Sequence, residues 1–100
     1  MIICVDLDGT LCEDSNGQVE DWQEWYKQVR PISDAIKKIN LLSKKHAIVI
    51  YTARPNIDYE ITHNWLTENG VIFDKLVMDK VKADLYIDNA SKRIGELDAP

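Results

Sequence analysis

Apolar positions along the chain fall into two kinds of run. In the first kind they are continuous: Ile2-Ile3-Cys4-Val5, Ala47-Ile48-Val49-Ile50-Tyr51, Leu76-Val77-Met78 in a strand read from Lys75 to Met78, and Leu85-Tyr86-Ile87. Short unbroken runs rich in β-branched residues are the pattern of strands covered on both faces, as in a parallel sheet. That reading buries Cys4. In the second kind the apolar residues recur at helical spacing. Trp22, Trp25, Tyr26 and Val29 predict a helix from Asp21 to Arg30, with Asp21 as its cap, Glu24 three residues on, and Pro31 as its stop. Ala35, Ile36, Ile39 and Leu42 predict a second helix, capped by Ser33 and closed by Lys44, Lys45 and His46. Ile57, Ile61 and Trp65, with Leu66 beside them, predict a third, capped by Asn56 and stopped at Asn69-Gly70. Asn16-Gly17 is a strong turn pair and predicts a small hairpin over about residues 11–20.

Strands alternating with helices imply an α/β fold, with a parallel sheet and helices packed on its faces. Each strand runs out into polar residues. Asp6 and Asp8 come after the first, Thr52 and Arg54 after the second, Asp79 and Lys80 after the third, and Asp88 after the fourth. Such sheets hold their ligands at the carboxyl ends of the strands. A turn accounts for Asp8 and Gly9, but not for Asp6 at the end of an apolar strand. Two carboxylates this close repel unless a cation neutralises them. Oxygen-only ligands suit a hard cation, so the residues point to Mg²⁺ together with a phosphate. The hairpin beside this pair reads as a flap or as a plain surface turn.

Length and charge narrow the function classes. One hundred residues make one domain. A net charge of −5 disfavours nonspecific binding to nucleic acid or to an anionic membrane. No apolar run is long enough to span a bilayer, and Asp6 interrupts the first run too early for a signal peptide. Two cysteines make no disulfide framework, so the expectation is a cytoplasmic protein with reduced thiols. Zinc would need more Cys and His than the chain carries. His46 suits a helix end, and His63 falls about a quarter turn off the apolar face of the third helix.

At these residues the chain resembles the haloacid dehalogenase superfamily of aspartate-nucleophile phosphotransferases. That family's first motif, D-x-D-G-T after an apolar strand, is matched by Asp6-Leu7-Asp8-Gly9-Thr10. Its second is matched by Thr52-Ala53-Arg54. Many relatives end K-P-x-A-D-x-Y-I-D-D, and this chain reads Lys80-Val81-Lys82-Ala83-Asp84-Leu85-Tyr86-Ile87-Asp88-Asn89. The register favours Lys80 over Lys82 as the motif lysine. Asn89 stands where the second acid is usual, which bears on how strongly Mg²⁺ would be held.

The resemblance implies a Rossmann-like doubly wound sheet with helices on both faces and no cap domain. Such an open site accepts a large substrate or is closed by oligomerising. It also implies roles. Asp6 would be the nucleophile and Asp8 the acid and base. Asp6, Asp88 and the Asp8 main-chain carbonyl would hold Mg²⁺. Thr52 and Lys80 would bind the phosphoryl oxygens, with Gly9, Thr10, Ala53 and Arg54 completing the phosphate and substrate contacts. Arg54 reads equally as a surface ion pair. The implied substrate is a small phosphomonoester, from a phosphosugar or nucleotide-sugar pathway by analogy with capless relatives. Two rivals accompany this reading. One is a Mg²⁺- and phosphate-binding regulatory module without turnover. The other is a receiver domain, which places its phosphorylated aspartate on a later strand, where this chain has Thr52.

Overall fold

The computed structural model describes residues 1–81. Three strands, β1 (Ile2–Val5), β2 (Ala47–Tyr51) and β3 (Lys75–Val77), form a parallel sheet in the order β1-β2-β3. Val5 pairs with Ile50, and Tyr51 with Val77. This register brings the carboxyl ends of all three strands to one edge, so the polar residues beyond them emerge together. The core is built from Leu7, Leu11, Ile39, Ile48, Ile50 and Leu66, all fully buried. They belong to one cluster drawn from the sheet, the helices and the loop after β1.

β1 differs from the expected doubly covered strand. Ile3 and Val5 pack on the core, whereas Ile2 and Cys4, on the opposite face, are exposed. A continuous apolar run thus conceals an alternating burial pattern.

The helices are α1 (Trp22–Gln28), α2 (Ser33–Leu42) and α3 (Tyr59–Glu68), the last preceded by a 3-10 turn over Asn56–Asp58. Asp21 caps α1 as its sequence predicts, accepting from the backbone N–H groups of Gln23 and Glu24. α2 buries Ala35, Ile36, Ile39 and Leu42 as expected, but Ser33 lies inside its first turn and caps nothing. Ile32 holds the cap position, anchored by its N–H to the Leu11 carbonyl at 2.8 Å. α3 departs further. Asn56 offers no capping side chain, and its own N–H is taken by the carboxylate of Asp79, at 3.2 Å to the nearer oxygen. The buried face carries Thr62, Trp65 and Leu66, while Ile57 is 83% exposed. The helix is turned this way because Trp65 Nε1 donates to the Val29 carbonyl and Thr62 meets a buried arginine.

Asn16 and Gly17 both have positive φ, at 59° and 87°, as a tight two-residue turn requires. The hairpin expected around them does not form. Its outgoing arm is paired elsewhere: Cys12 bridges Pro31, Glu13 N–H donates to Arg30, and Leu11 accepts from Ile32. The expected fourth strand, Lys82, Asp84, Asp88, Asn89 and the tail lie outside the described residues. Among the described residues no helix is long and apolar enough to cross a membrane.

Candidate functional site

The chain leaves β1 through a tight loop. The Leu7 carbonyl accepts from the N–H groups of Thr10, Leu11 and Cys12, and Gly9 N–H donates to the Cys12 carbonyl at 2.8 Å. Gly9 has φ +80°, and a Cβ there would meet the Asp14 carboxylate at 3.6 Å, so the position favours glycine on backbone grounds. These bonds turn the Gly9 and Thr10 N–H groups into the loop. Those two N–H groups are therefore engaged within the loop. Among the described residues no hydrogen bond engages the N–H groups of Asp8 and Ala53, at the ends of β1 and β2.

Asp6 and Asp8 sit in different surroundings. Asp6 reaches solvent, and its Oδ1 accepts the Leu7 N–H at 2.9 Å. The surrounding protein nevertheless removes enough water to push its carboxyl above the usual 3.8. The Leu7 N–H and the Lys80 charge oppose that rise, while the charges of Asp8 and Asp14 add to it. Lys80 is thus electrostatically part of the Asp6 environment. Its Nζ lies 5.3 Å from the Tyr51 ring centroid, and its backbone N–H donates to the Thr52 carbonyl.

Asp8 is held by an arginine fork. Arg54 Nη2 donates to its Oδ1 at 2.8 Å and Arg54 Nε to its Oδ2 at 3.1 Å. Thr52, fully buried, turns its hydroxyl to Asp8 Oδ2 at 3.5 Å and accepts the Arg54 N–H at 3.2 Å. Of the two roles expected for Arg54, the ion pair is present but buried on the arginine's side, and the contact to a remote anion of the substrate needs correction. The side chain is 1% exposed and its donors are committed to Asp8 and Thr62. The guanidinium carbon lies 3.9 Å above the ring of Tyr26, itself buried on α1. Ala53, between Thr52 and Arg54, is exposed at the same edge.

The donor chemistry fits a hard cation in part. Asp6 supplies a solvent-facing carboxylate. The Asp8 carboxylate is spoken for by Arg54, which leaves its main-chain carbonyl as the group able to contribute. Asp88 lies outside the described residues. Among the described residues no three His, Cys, Asp or Glu side chains gather as a metal set.

In architecture the chain is similar to a structural-genomics target from Vibrio cholerae. The TM-score is 0.74, with 29% identity over 95% of this chain and 85% of that one. It is also similar to part of a chain in the Pnkp1/Rnl/Hen1 RNA repair complex, with a TM-score of 0.65 and 25% identity over 88% of this chain. A second structure of the Pnkp1/Rnl/Hen1 complex gives 0.63 at the same identity and coverage. This chain spans 28% and 30% of those two neighbours' chains. These are likenesses of fold. No family model and no curated protein matches the chain.

Several residues of the site escape a sequence reading. Tyr26 belongs to the aromatic stripe of α1, and nothing in the stripe says that one ring covers an arginine. Thr62 reads as a solvent-facing polar residue until the register of α3 is known. Cys12 sits beneath the pair, with Sγ 3.5 Å from Asp8 Oδ1 and 3.7 Å from Arg54 Nη2. Burial, with the Asp8 charge behind it, pushes the Cys12 thiol up to about 12. A thiol reagent at neutral pH is therefore expected to label exposed Cys4 alone, with Cys12 reacting only after denaturation. Labelling with a maleimide and then peptide mass spectrometry checks this. Modification of native Cys12 would show that the loop after β1 opens.

Proposed function

We propose that the chain is a phosphatase of the haloacid dehalogenase type, built on a doubly wound sheet, that hydrolyses a phosphomonoester through an aspartyl-phosphate. The observation that carries this reading is the unlike environment of two carboxylates two residues apart. Asp6 is open to solvent with Lys80 as its cationic neighbour, and Asp8 is clamped by Arg54 and Thr52. Neighbouring carboxyls in distinct settings are how an active site divides a nucleophile from an acid–base group.

Asp6 attacks phosphorus, and the bond to the leaving oxygen breaks with its electron pair on that oxygen. Asp8, entering this step protonated, gives its proton to that oxygen and is left ionised beside Arg54. Water then attacks the aspartyl-phosphate and gives a proton to Asp8. The phosphorus–Asp6 bond breaks, its electron pair returns to the carboxylate, and inorganic phosphate departs. The N–H groups of Asp8 and Ala53, with Lys80, bind the phosphoryl oxygens. Asp6, the Asp8 carbonyl and Asp88 would hold Mg²⁺, which supplies charge screening between an anionic nucleophile and an anionic ester.

Hydrolysis of an aryl phosphate, with Mg²⁺ and with EDTA, tests the reading. The expected result is phosphate release that EDTA abolishes. A wider substrate panel takes phosphosugars and nucleotide sugars, and also a phosphorylated RNA end, since two of the structural neighbours lie in an RNA repair complex. If no ester is hydrolysed while Mg²⁺ with phosphate raises the Tm, the chain is a binding module.

A further inference from the structure

We propose that Arg54 is a positioning residue that aims the Asp8 carboxylate at the leaving oxygen, with Thr62 and Tyr26 holding the arginine in place. The proposal rests on the reading of Asp8 as the acid. A carboxylate at the end of a two-bond side chain rotates freely in water. Here both its oxygens are engaged by one rigid planar group, Oδ1 at 2.8 Å and Oδ2 at 3.1 Å. A fork of this kind fixes the plane of the carboxylate as well as its place, which a single lysine charge does not.

The fork is fixed in turn. Arg54 Nη1 donates to Thr62 Oγ1 at 3.1 Å, tying it to α3. Its carbon lies 3.9 Å from the centroid of the Tyr26 ring, tying it to α1. Among the described residues no buried side-chain polar atom lacks a partner, so the cluster is complete as it stands. Asp8 remains 33% exposed while Arg54 is 1% exposed. The arginine is therefore shut off from substrate, and the carboxylate it holds is not. A buried ion pair is weak grounds for stability, because apolar residues of similar volume often serve the fold as well. Orientation of the exposed partner is what this pair provides and an apolar pair would not.

The test separates aim from folding. An aryl phosphate whose phenol departs without a proton makes little demand on Asp8, while an alkyl phosphate makes a full one. Arg54→Lys keeps the charge and loses the fork. In a single turnover its rate of alcohol release from the alkyl ester is expected to fall roughly 100-fold, with phenol release from the aryl ester kept within about threefold, because this step precedes the one in which Asp8 takes a proton from water. The concentration giving half the maximal single-turnover rate should be unchanged for both. Asp8→Asn should show the same split, and Arg54→Lys should add nothing in the Asp8→Asn background. Equal losses on the two esters, or additive losses in the double variant, would overturn the proposal and leave the phosphatase reading intact. If wild type hydrolyses neither ester, both fall. Should Arg54→Lys fail to fold, Thr62→Val preserves the shape and frees one edge of the guanidinium. It should give a smaller loss confined to the alkyl ester, and an unchanged ratio of the two rates would overturn the proposal.

Discussion

Asp6→Asn is expected to abolish Mg²⁺-dependent phosphatase turnover while leaving a folded and slightly more stable protein. The loss comes from the chemistry, since a carboxamide cannot form the acyl phosphate. The rate should fall by at least about 10⁴-fold, to background. The gain in stability comes from the position of the side chain. Burial holds the folded carboxyl above its usual 3.8, so ionising it costs more in the native protein than in the unfolded chain. That penalty is absent below the unfolded carboxylate range. It grows as pH rises through the interval between the unfolded and the folded value, and is constant above. Asparagine removes the charge, and its Oδ1 can still accept the Leu7 N–H. In EDTA the variant should melt above wild type near pH 7, and the two should converge near pH 3. Assay and thermal melts read both effects. Retained turnover would remove Asp6 as the nucleophile. A lower Tm for the variant near pH 7 would show that the ionised carboxylate stabilises the fold.

Trp65→Ala is expected to destabilise the protein more than any change at the site. The indole is 2% exposed, and its Nε1 donates to the Val29 carbonyl at 2.9 Å. Emptying such a site costs about 3–5 kcal/mol in lost burial and cavity. The Val29 carbonyl, stranded without its donor, adds about 1 kcal/mol or more. A domain of this size has only about 5–15 kcal/mol in all. The Tm should fall by roughly 15 °C or more in a thermal melt, with Trp65→Phe showing about a third of that loss. A fall below about 5 °C would mean that the α1–α3 contact contributes little to holding the fold. Val29 closes α1, and Tyr26 lies on that helix, so loosening this joint also loosens the floor under Arg54.

The sequence carries some of this arrangement openly and some not at all. The ends of β1, β2 and β3 are legible because a strand's apolar run and the polar residue that stops it are adjacent in the chain. The cap on α1 is legible for the same reason: Asp21 and the N–H groups it serves lie within three residues. The placement of Arg54 is not legible. It depends on Tyr26 and Thr62, which come from different helices and meet only in three dimensions. Apolar spacing alone puts the buried face of α3 along Ile57, Ile61 and Trp65. Ile57 falls in the 3-10 turn before α3, off the register of the helix, and no apolar count registers that break. The turn at Asn16-Gly17 forms because it is local. The pairing of its arm with Arg30–Ile32 is not local, and it replaces the hairpin.

Asp79 looks like an ordinary polar residue after a strand. Its backbone stands at φ +59°, its N–H donates to the Arg54 carbonyl, and its carboxylate accepts the Asn56 N–H. The next residue, Lys80, donates its N–H to the Thr52 carbonyl. One position thus stitches the end of β3 to the end of β2 and to the entrance of α3. Its tolerance to change is correspondingly narrow. Asparagine can keep both the left-handed backbone and an oxygen for the cap, glycine keeps the backbone alone, and a β-branched residue keeps neither. Thr52, Arg54 and Lys80 are registered to one another through this position.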